Sequence, residues 1–260
     1  MGIINITPDS FSDGGKYFEG KINYEKILED ALKMEKEGAD FIDIGGESTR
    51  PGSEKVTKEV ELERVIPAIE LIRKNSDIPI SIDTYKSEVA EEALNAGADI
   101  VNDISGFRFD KKMAEVTAKY NATCILMHIK GTPKDMQVNP EYENVVEEVY
   151  NYLSDSIEIA KSAGVKQIIT DVGIGFGKNL QNNLDLIKNL SEFKKLGYPI
   201  LMGVSRKRFI DNISPTSVND RLEGTIAANV AGILNGANII RVHDVLENKK
   251  AALIADKLKY

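Results

Sequence analysis

The chain has 260 residues, of which 42% are apolar and 28% charged, and its formal net charge is −8. This balance is typical of a globular protein and excludes collagens, coiled coils and disordered chains, while an acidic chain argues against nucleic acid as a general partner. Cys124 is the only cysteine in the sequence, which excludes a disulfide framework and suits a reducing compartment.

Short apolar runs alternate with longer amphipathic segments from one end of the chain to the other. The short runs are rich in Ile and Val, as expected of strands buried on both faces. The predicted strands are residues 2–6, 41–44, 79–82, 100–102, 124–127, 167–170, 199–202 and 239–242. The amphipathic segments predict helices over residues 24–37, 60–74, 86–95, 111–120, 143–162, 184–196, 220–234 and 246–258.

Strict alternation of strands and helices predicts a parallel sheet with right-handed crossovers. Eight such units in this length favour a closed (β/α)8 TIM barrel, with an open doubly wound sheet as the structural alternative. A faint repeat supports the count, because Gly38, Gly97, Gly164 and Gly236 each stand between a predicted helix and the next strand. Glycine there ends a helix in the left-handed conformation. Since no Pro- or Ser-rich linker interrupts the pattern, we expect residues 1–260 to form a single domain.

The longest uncharged stretch, residues 224–240, is the one candidate for a membrane span in the sequence. A spanning helix needs about 20 predominantly apolar residues, whereas Asn229, Asn235 and Asn238 interrupt this stretch. It is therefore predicted to be a buried helix, a turn and a strand. No basic segment precedes an apolar one at the N-terminus, so we expect no secretory signal and a cytoplasmic protein without a membrane partner.

Polar or charged residues stand at or just beyond the end of nearly every predicted strand. In a barrel these strand ends converge on one cavity, where active sites form. A single Asp after a strand most often caps the next helix, which we expect for Asp103, and Asp43 is explained equally well as a brace between loops. The complete set on one rim predicts a shared ligand site. Its members are Asn5, Asp43, Asp83, Asn102, Asp103, His128, Asp171, Ser205, Lys207, Arg241 and His243.

These residues divide by charge into two groups. Arg50, Lys207, Arg241 and His243 are cationic or can become so, and they suit a phosphate group; salt bridges to the rim carboxylates are the structural alternative. Asp83, Asn102 and Asp171 offer two carboxylates and an amide, which would satisfy a flat heterocycle with several N–H donors, such as a pterin. Buried carboxylates without such a partner are costly.

The glycine-rich run of residues 173–178 (GIGFGK) invites a nucleotide-binding interpretation but lacks both the P-loop spacing and the G-x-G-x-x-G order. We predict instead a flexible loop that presents Phe176 to a ligand. Cys124 and His128 are too few for a metal site, and Cys124 lies inside an apolar strand, where it is expected to be part of the core.

Two long segments resemble the signatures of dihydropteroate synthases: residues 5–15 (NITPDSFSDGG) and residues 45–52 (GGESTRPG). Shorter matches follow in the family's order at residues 81–84, 101–103, 173–178, 205–207 and 241–244, so that the resemblance covers nearly the whole chain. It implies a pterin-binding TIM barrel of folate biosynthesis, usually a homodimer. Such an enzyme joins 6-hydroxymethyl-7,8-dihydropterin diphosphate to 4-aminobenzoate with Mg²⁺, releasing diphosphate and 7,8-dihydropteroate.

The resemblance also implies a role for individual residues. The pterin-contacting group is Asp83, Asn102, Asp171 and Lys207, and the diphosphate group is Asn5, Arg50, Arg241 and His243, with Asn5 also near Mg²⁺. The 4-aminobenzoate pocket comprises Thr49, Pro51, Phe176, Ser205 and Phe11. Catalytic roles fall to Arg241, His243, Lys207 and Asp83.

The chain departs from the family pattern in two rim loops. Val172 stands where the family commonly has Pro, and Ile129-Lys130 stand where it commonly has Met-Gln. The family also usually has a hairpin upstream of the first strand. Two other functions stay open: a methyltetrahydrofolate-binding methyltransferase with the same barrel, against which the cationic set argues, and a catalytically silent pterin-binding protein.

Overall fold

The computed structural model describes residues 1–8, 17–18 and 21–259. Eight short strands alternate with helices along this part of the chain. The strands are β1 (Gly2–Asn5), β2 (Ile42–Gly45), β3 (Ile80–Asp83), β4 (Ile100–Asp103), β5 (Thr123–Met127), β6 (Gln167–Asp171), β7 (Ile200–Met202) and β8 (Ile239–Ile240). The α-helices are α1 (Tyr24–Lys36), α2 (Lys58–Asn75), α3 (Ser87–Asn95), α4 (Met113–Lys119), α5 (Val145–Ser162), α6 (Leu180–Lys188), α7 (Arg208–Ile213), α8 (Leu222–Leu234) and α9 (Val245–Leu258).

The strands form one parallel sheet in sequence order from β1 to β8, and the sheet closes on itself. A parallel bridge joins Gly2 to Val242, just beyond β8. The N–H of Ile3 donates to the Val242 carbonyl at 3.1 Å, and the N–H of Val242 donates to the Met1 carbonyl at 2.9 Å. The (β/α)8 barrel is therefore confirmed, and the open doubly wound alternative is wrong.

Side chains along each strand alternate between the barrel interior and the surrounding helices. An apolar cluster of Met1, Ile100, Ile125, Ile169 and Leu201, with Ile239 packed against it, fills the lower interior of the barrel. Two residues after Ile100, Ile169 and Ile239 come Asn102 on β4, Asp171 on β6 and Arg241 just beyond β8. The same alternation that builds the apolar floor thus places polar groups directly above it.

The parallel register brings the polar strand ends to one level. Asn5 pairs with Gly45, Gly45 pairs with Asp83, and Asp83 pairs with Asn102. Outside the strands, large buried side chains such as Ile44 and Ile69 form the core between the sheet and the helices. The barrel mouth is therefore the part of the interior where polar side chains from several strands meet.

Two helical regions differ from the sequence prediction. The helix predicted over residues 184–196 is split into α6 and a 3-10 helix over Leu190–Leu196. The split helix begins earlier than predicted, because Asn179 and Asn182 form a reciprocal capping box at the start of α6. The six-residue α7 was not predicted, since so short a segment shows no amphipathic period.

The helix-ending glycines and the uncharged stretch behave as predicted. Gly38, Gly97, Gly164 and Gly236 have φ angles of 97°, 111°, 92° and 119°. The stretch of residues 224–240 folds into α8, a turn and β8. Across the described ranges no helix combines the length and the apolarity needed to cross a membrane. Cys124 is buried and unpaired, as expected of a core residue.

Replacing Phe193 tests the packing around the 3-10 helix. Phe193 is fully buried in the cluster that includes Leu186 and Ile200, so Phe193→Ala removes apolar contacts and leaves a cavity. We expect the free energy of unfolding to fall by about 3–5 kcal/mol in urea denaturation. Val138→Ala is the control, because Val138 is 75% exposed and its truncation should change stability little. An equal loss in both variants would contradict this packing.

Candidate functional site

An ion pair between the last strand and the second and third strands lies at the centre of the barrel mouth. Arg241 follows β8, and its Nε lies 2.5 Å from Oδ2 of Asp43 on β2. Its Nη2 lies 2.9 Å from Oδ2 of Asp83 at the end of β3. The amide of Asn102 on β4 donates to the Asp43 carboxylate at 3.3 Å. Arg241, Asp83 and Asn102, which were predicted to share a site, thus converge on Asp43, whose side chain is fully buried.

Asp83 combines a buried carboxylate with an unused acceptor atom. One oxygen accepts from Arg241, whereas Oδ1 is buried and has no hydrogen-bond partner among the described residues. Burial raises the pKa of Asp83 to about 7; Arg241 opposes this rise, and the neighbouring Asp43 carboxylate adds to it. An unsatisfied buried acceptor costs about 1–3 kcal/mol. Such an atom at a barrel mouth suits a ligand that brings its own N–H donor.

Asp171 at the end of β6 and Lys207 after β7 carry opposite charges and lie close enough to influence each other's pKa. Asp171 ends β6 and is buried, and its Oδ1 accepts from the Gly173 N–H at 2.7 Å. Burial raises the pKa of Asp171, and the nearby Lys207 opposes the rise. Burial lowers the pKa of Lys207 to about 8, against the attraction of Asp171. The Lys207 ammonium donates to the Ile174 carbonyl and lies 4.7 Å from the centre of the Phe176 ring.

Ser205 and His243 are held together by the loops after β7 and β8. The Ser205 Oγ accepts from the His243 backbone N–H at 3.2 Å and lies 2.9 Å from its ring Nδ1. Between these loops Arg206, with a φ of 55°, makes two contacts of 3.0 and 2.6 Å with the Asp244 carboxylate. This bidentate pair was not predicted, and it fixes the relative position of the two loops.

The second signature forms a compact loop between β2 and α2. Glu47 is buried and accepts from the Tyr85 hydroxyl and from the Lys86 ammonium, which also reaches Glu61. Beyond Glu47 the chain turns back through Thr49, Arg50 and Pro51, and the Gly52 N–H donates to the Pro133 carbonyl at 2.9 Å. Thr49 and Arg50 are partly buried and Pro51 is exposed, so this segment lines the rim rather than the floor.

Asn5 lies at the end of β1 and is partly buried. A methyl group placed on Gly45 of the adjacent strand would be 3.6 Å from Asn5 Oδ1 and 3.8 Å from Asp83 Oδ2. The amide oxygen of Asn5 and the Asp83 carboxylate therefore flank the same glycine. Phe11, predicted for the aromatic-acid pocket, lies outside the described residues.

Several other predicted residues have structural positions. Asp103 accepts from the N–H and the hydroxyl of Ser105, both at 2.7 Å, so it braces the turn after β4. The prediction that it caps the next helix is wrong, because α4 begins only at Met113. In the described ranges no three His, Cys, Asp or Glu side chains are grouped closely enough to hold a metal ion.

The sequence pattern left the role of Asp43 open and assigned no individual role to Glu47, Lys178 or Arg206. A signal for Asp43 existed, because it is the charged residue of a strand otherwise formed by Ile42, Ile44 and Gly45. Its neighbours across the barrel are separated from it by up to 198 residues in the chain, and their pairing required the structure.

Known proteins with similar sequences and structures are pterin binding enzymes. Residues 1–243 match the family of pterin binding enzymes. The chain is 51% identical to the dihydropteroate synthase of Clostridium beijerinckii, over 98% of this chain and 92% of that protein. A dihydropteroate synthase structure from Clostridium difficile in the presence of pteroic acid has a TM-score of 0.91 and 48% identity, covering 99% of this chain and 95% of that one. The enzyme from Thermus thermophilus in complex with 4-aminobenzoate has a TM-score of 0.88 and 37% identity, covering 99% and 92%.

The chain therefore belongs to the pterin-binding enzyme family and, within it, to the dihydropteroate synthases. The resemblance read from the two signatures is confirmed over nearly the whole chain.

Asp43→Ala tests whether the central ion pair supports the barrel mouth. The substitution leaves Arg241, whose side chain is 20% exposed, with Asp83 as its remaining salt-bridge partner among the described residues, and it removes the acceptor of the Asn102 amide. We expect the free energy of unfolding to fall by about 3 kcal/mol, since breaking a buried pair exposes the full cost of the remaining charge. Asp40→Ala is the control: its 3.1 Å pair with Lys249 is exposed, and its loss should cost less than about 1 kcal/mol. Equal urea midpoints for Asp43→Ala and the parent protein would contradict this role.

Proposed function

We propose that this member of the dihydropteroate synthases joins 6-hydroxymethyl-7,8-dihydropterin diphosphate to 4-aminobenzoate. The products are diphosphate and 7,8-dihydropteroate. The observation that carries the proposal is the buried acceptor set above the apolar floor: the unpartnered Asp83 Oδ1, the Asn102 amide and the Asp171 carboxylate. These groups come from three strands, and they offer hydrogen-bond acceptors where a flat ring with N–H donors would lie.

The pterin ring is bound by Asp83, Asn102, Asp171 and Lys207 in this proposal. The two carboxylates end β3 and β6, and their burial strengthens each hydrogen bond that they accept. Lys207 supplies a donor close to Asp171, so the pocket offers both kinds of hydrogen-bonding group.

The diphosphate is bound by Asn5, Arg50, Arg241 and His243. Arg241 and His243 are two residues apart after β8, and the contact with Ser205 holds the His243 imidazole against the loop that follows β7. The guanidinium fork matches phosphate oxygens, and its two carboxylate partners hold it in place at the mouth.

Mg²⁺ fits the donors at the end of β1. Asn5 Oδ1 is a hard oxygen ligand that flanks Gly45 together with the Asp83 carboxylate, and Mg²⁺ commonly takes few protein ligands beside phosphate oxygens and water. Asn5 is the residue that would hold it. When bound, Mg²⁺ supplies positive charge that stabilises the departing diphosphate.

The 4-aminobenzoate lies at the rim, against Thr49, Pro51, Phe176 and Ser205, with Phe11 as a further member of this pocket. Phe176 packs against an apolar cluster that includes Tyr85 and Met136, which holds one edge of its ring. Ser205 lies beside His243, so the rim pocket and the diphosphate site share a boundary.

The reaction forms one bond and breaks another at the exocyclic methylene of the pterin. The amine nitrogen attacks the methylene carbon, the carbon–oxygen bond to diphosphate breaks with its electron pair leaving on the diphosphate, and the nitrogen loses one proton. An arylamine is a poor nucleophile, so most of the catalytic effort falls on the leaving group. Arg241 and His243 stabilise its negative charge, and the carboxylates of Asp83 and Asp171 favour positive charge on the pterin.

A homodimer in the cytoplasm completes the proposal. Leu253, Ile254 and Leu258 on α9 are between 58% and 64% exposed, and Leu234 on α8 is 43% exposed. These two helices are neighbours at the end of the barrel, and a second copy would cover such an apolar face. The unpaired Cys124 supports a reducing compartment.

Diphosphate release from the pterin diphosphate tests the activity. We expect release, and formation of 7,8-dihydropteroate detected by mass, to require both 4-aminobenzoate and Mg²⁺. Pterin binding without turnover would favour a catalytically silent pterin-binding protein. Methyl transfer to a corrinoid without diphosphate release would favour the methyltransferase. Either result would overturn the proposal.

The raised pKa of Asp83 predicts a pH dependence of pterin binding. The ionised carboxylate accepts N–H groups much more strongly than the protonated one. Burial raises the pKa of Asp83 in the free protein to about 7, with Arg241, Asp43, Glu61 and Asp103 as the charged neighbours. As the pH falls through 7, protonation of this one group should weaken binding of 7,8-dihydropteroate by up to about tenfold per pH unit. Calorimetry between pH 5.5 and 8.5 measures the slope.

Asp83→Asn is the comparison for that titration. This variant should bind 7,8-dihydropteroate weakly at every pH. Its affinity should not decrease further as the pH falls below 7, whereas the affinity of the parent protein should. Protonation of the ligand itself affects both proteins alike, so the ratio of the two affinities isolates Asp83. A ratio that stays constant with pH would contradict the assignment.

A further inference from the structure

The loop between β6 and α6 is held by its carbonyl oxygens. All five carbonyls from Gly173 to Gly177 accept a hydrogen bond from a side chain. Lys178 donates to those of Gly173 and Phe176 at 2.8 and 2.9 Å. The donors to the carbonyls of residues 174, 175 and 177 are Lys207, Gln137 (2.6 Å) and Tyr142 (2.7 Å). The prediction of a flexible loop is not what the structure shows, since each peptide unit has a fixed partner.

Lys178 is the central donor, and its environment is unusual for a lysine. The residue is 2% exposed, and its Nζ contacts two loop carbonyls and the Nδ1 of His128 at 2.8 Å. No carboxylate of the described residues forms a salt bridge with this nitrogen. Burial lowers the pKa of Lys178 well below its ordinary value, and burial together with Lys178 lowers the pKa of His128. Burying a lysine in this way is costly unless its hydrogen bonds are needed.

The loop is also pressed against the neighbouring β5–α5 loop, which supplies His128, Gln137 and Tyr142. A methyl group at Gly173, where φ is 68°, would overlap the His128 carbonyl oxygen, and one at Gly177 would overlap that of Lys130. Glycine is therefore required at both positions by close contact as well as by backbone conformation. The Phe176 carbonyl is bound by Lys178 on one side, while its ring faces the Lys207 ammonium on the other.

We propose that Lys178 is a positioning residue for 4-aminobenzoate, acting with Gln137 and Tyr142 to fix the backbone that carries Phe176. This inference rests on the proposed function for the assignment of Phe176 to the 4-aminobenzoate pocket. None of the three donors is placed against either substrate, so their effect passes through the loop carbonyls. Removing a donor frees a peptide unit, which lets the Phe176 ring leave the position that the aromatic acid requires.

Lys178→Met tests the proposal, since methionine keeps most of the side-chain volume and removes every N–H. We expect the KM for 4-aminobenzoate to rise at least tenfold and the KM for the pterin diphosphate to change less than threefold. Lys188→Met is the matched control, because Lys188 is exposed on α6 and should leave both constants unchanged. Equal rises in both KM values, or no rise in either, would overturn the inference.

Gln137→Ala and Tyr142→Phe keep the test valid if the buried substitution fails to fold. Gln137 is exposed, so its truncation opens no cavity, and Tyr142→Phe removes only the hydroxyl that donates to Gly177. Each should raise the KM for 4-aminobenzoate severalfold with an unchanged melting temperature. A KM for 4-aminobenzoate equal to that of the parent protein in both variants would contradict the proposal.

Hydrogen exchange of the free protein separates this inference from the proposed function. The amides of residues 173–177 should exchange faster in Lys178→Met than in Lys188→Met, whether or not the enzyme turns over. If the parent protein releases no diphosphate but exchange is faster in Lys178→Met, the proposed function alone is refuted. Unchanged exchange with normal parent turnover would refute the positioning role alone.

Discussion

The barrel mouth depends on the compensation of buried carboxylates. Asp43, Asp83 and Asp171 come from three strands of one closed sheet, and their charges cannot be buried without partners. Arg241 on the last strand pairs with two of them, and Lys207 attracts the third. Arg241 reaches Asp43, 198 positions earlier in the chain, and the adjacent Val242 makes the backbone hydrogen bonds with Met1 and Ile3 that close the barrel. The charge balance of the site therefore depends on a closed barrel.

The site divides into a floor on strands and a rim on loops. The strand residues above the apolar floor, such as Asp83 and Asp171, sit at strand ends, where the parallel register fixes them to within one residue. Rim residues such as Thr49 and Phe176 are carried by loops, which need other means of support. The loop of Phe176 is supported by side chains that bind each carbonyl from residue 173 to residue 177. The loop of Thr49 is supported by the buried Glu47 and its partners Lys86 and Tyr85.

This arrangement costs stability, and the cost is localised in particular buried groups. Within the part of the chain that the structure describes, Asp83 keeps a buried oxygen without a hydrogen-bond partner, and burial shifts the pKa values of Asp83 upward and Lys207 downward. Each group is held in a state that a bound ligand with complementary donors and charges would relieve. A binding site that is preorganised in this way gives up stability for affinity.

The sequence by itself determined the alternation of eight strands and helices, the polar strand ends and the family, because hydrophobic period, glycine helix stops and the two long signatures are local properties. It also placed Asp83, Asn102 and Arg241 on one rim. It did not determine that Asp43 pairs with Arg241, that Asp103 braces a turn, or that Lys178 serves a loop's carbonyls. These contacts arise between residues distant in the chain or from backbone turns without a local signal, so only the tertiary structure, which sets distances across the barrel, decided them.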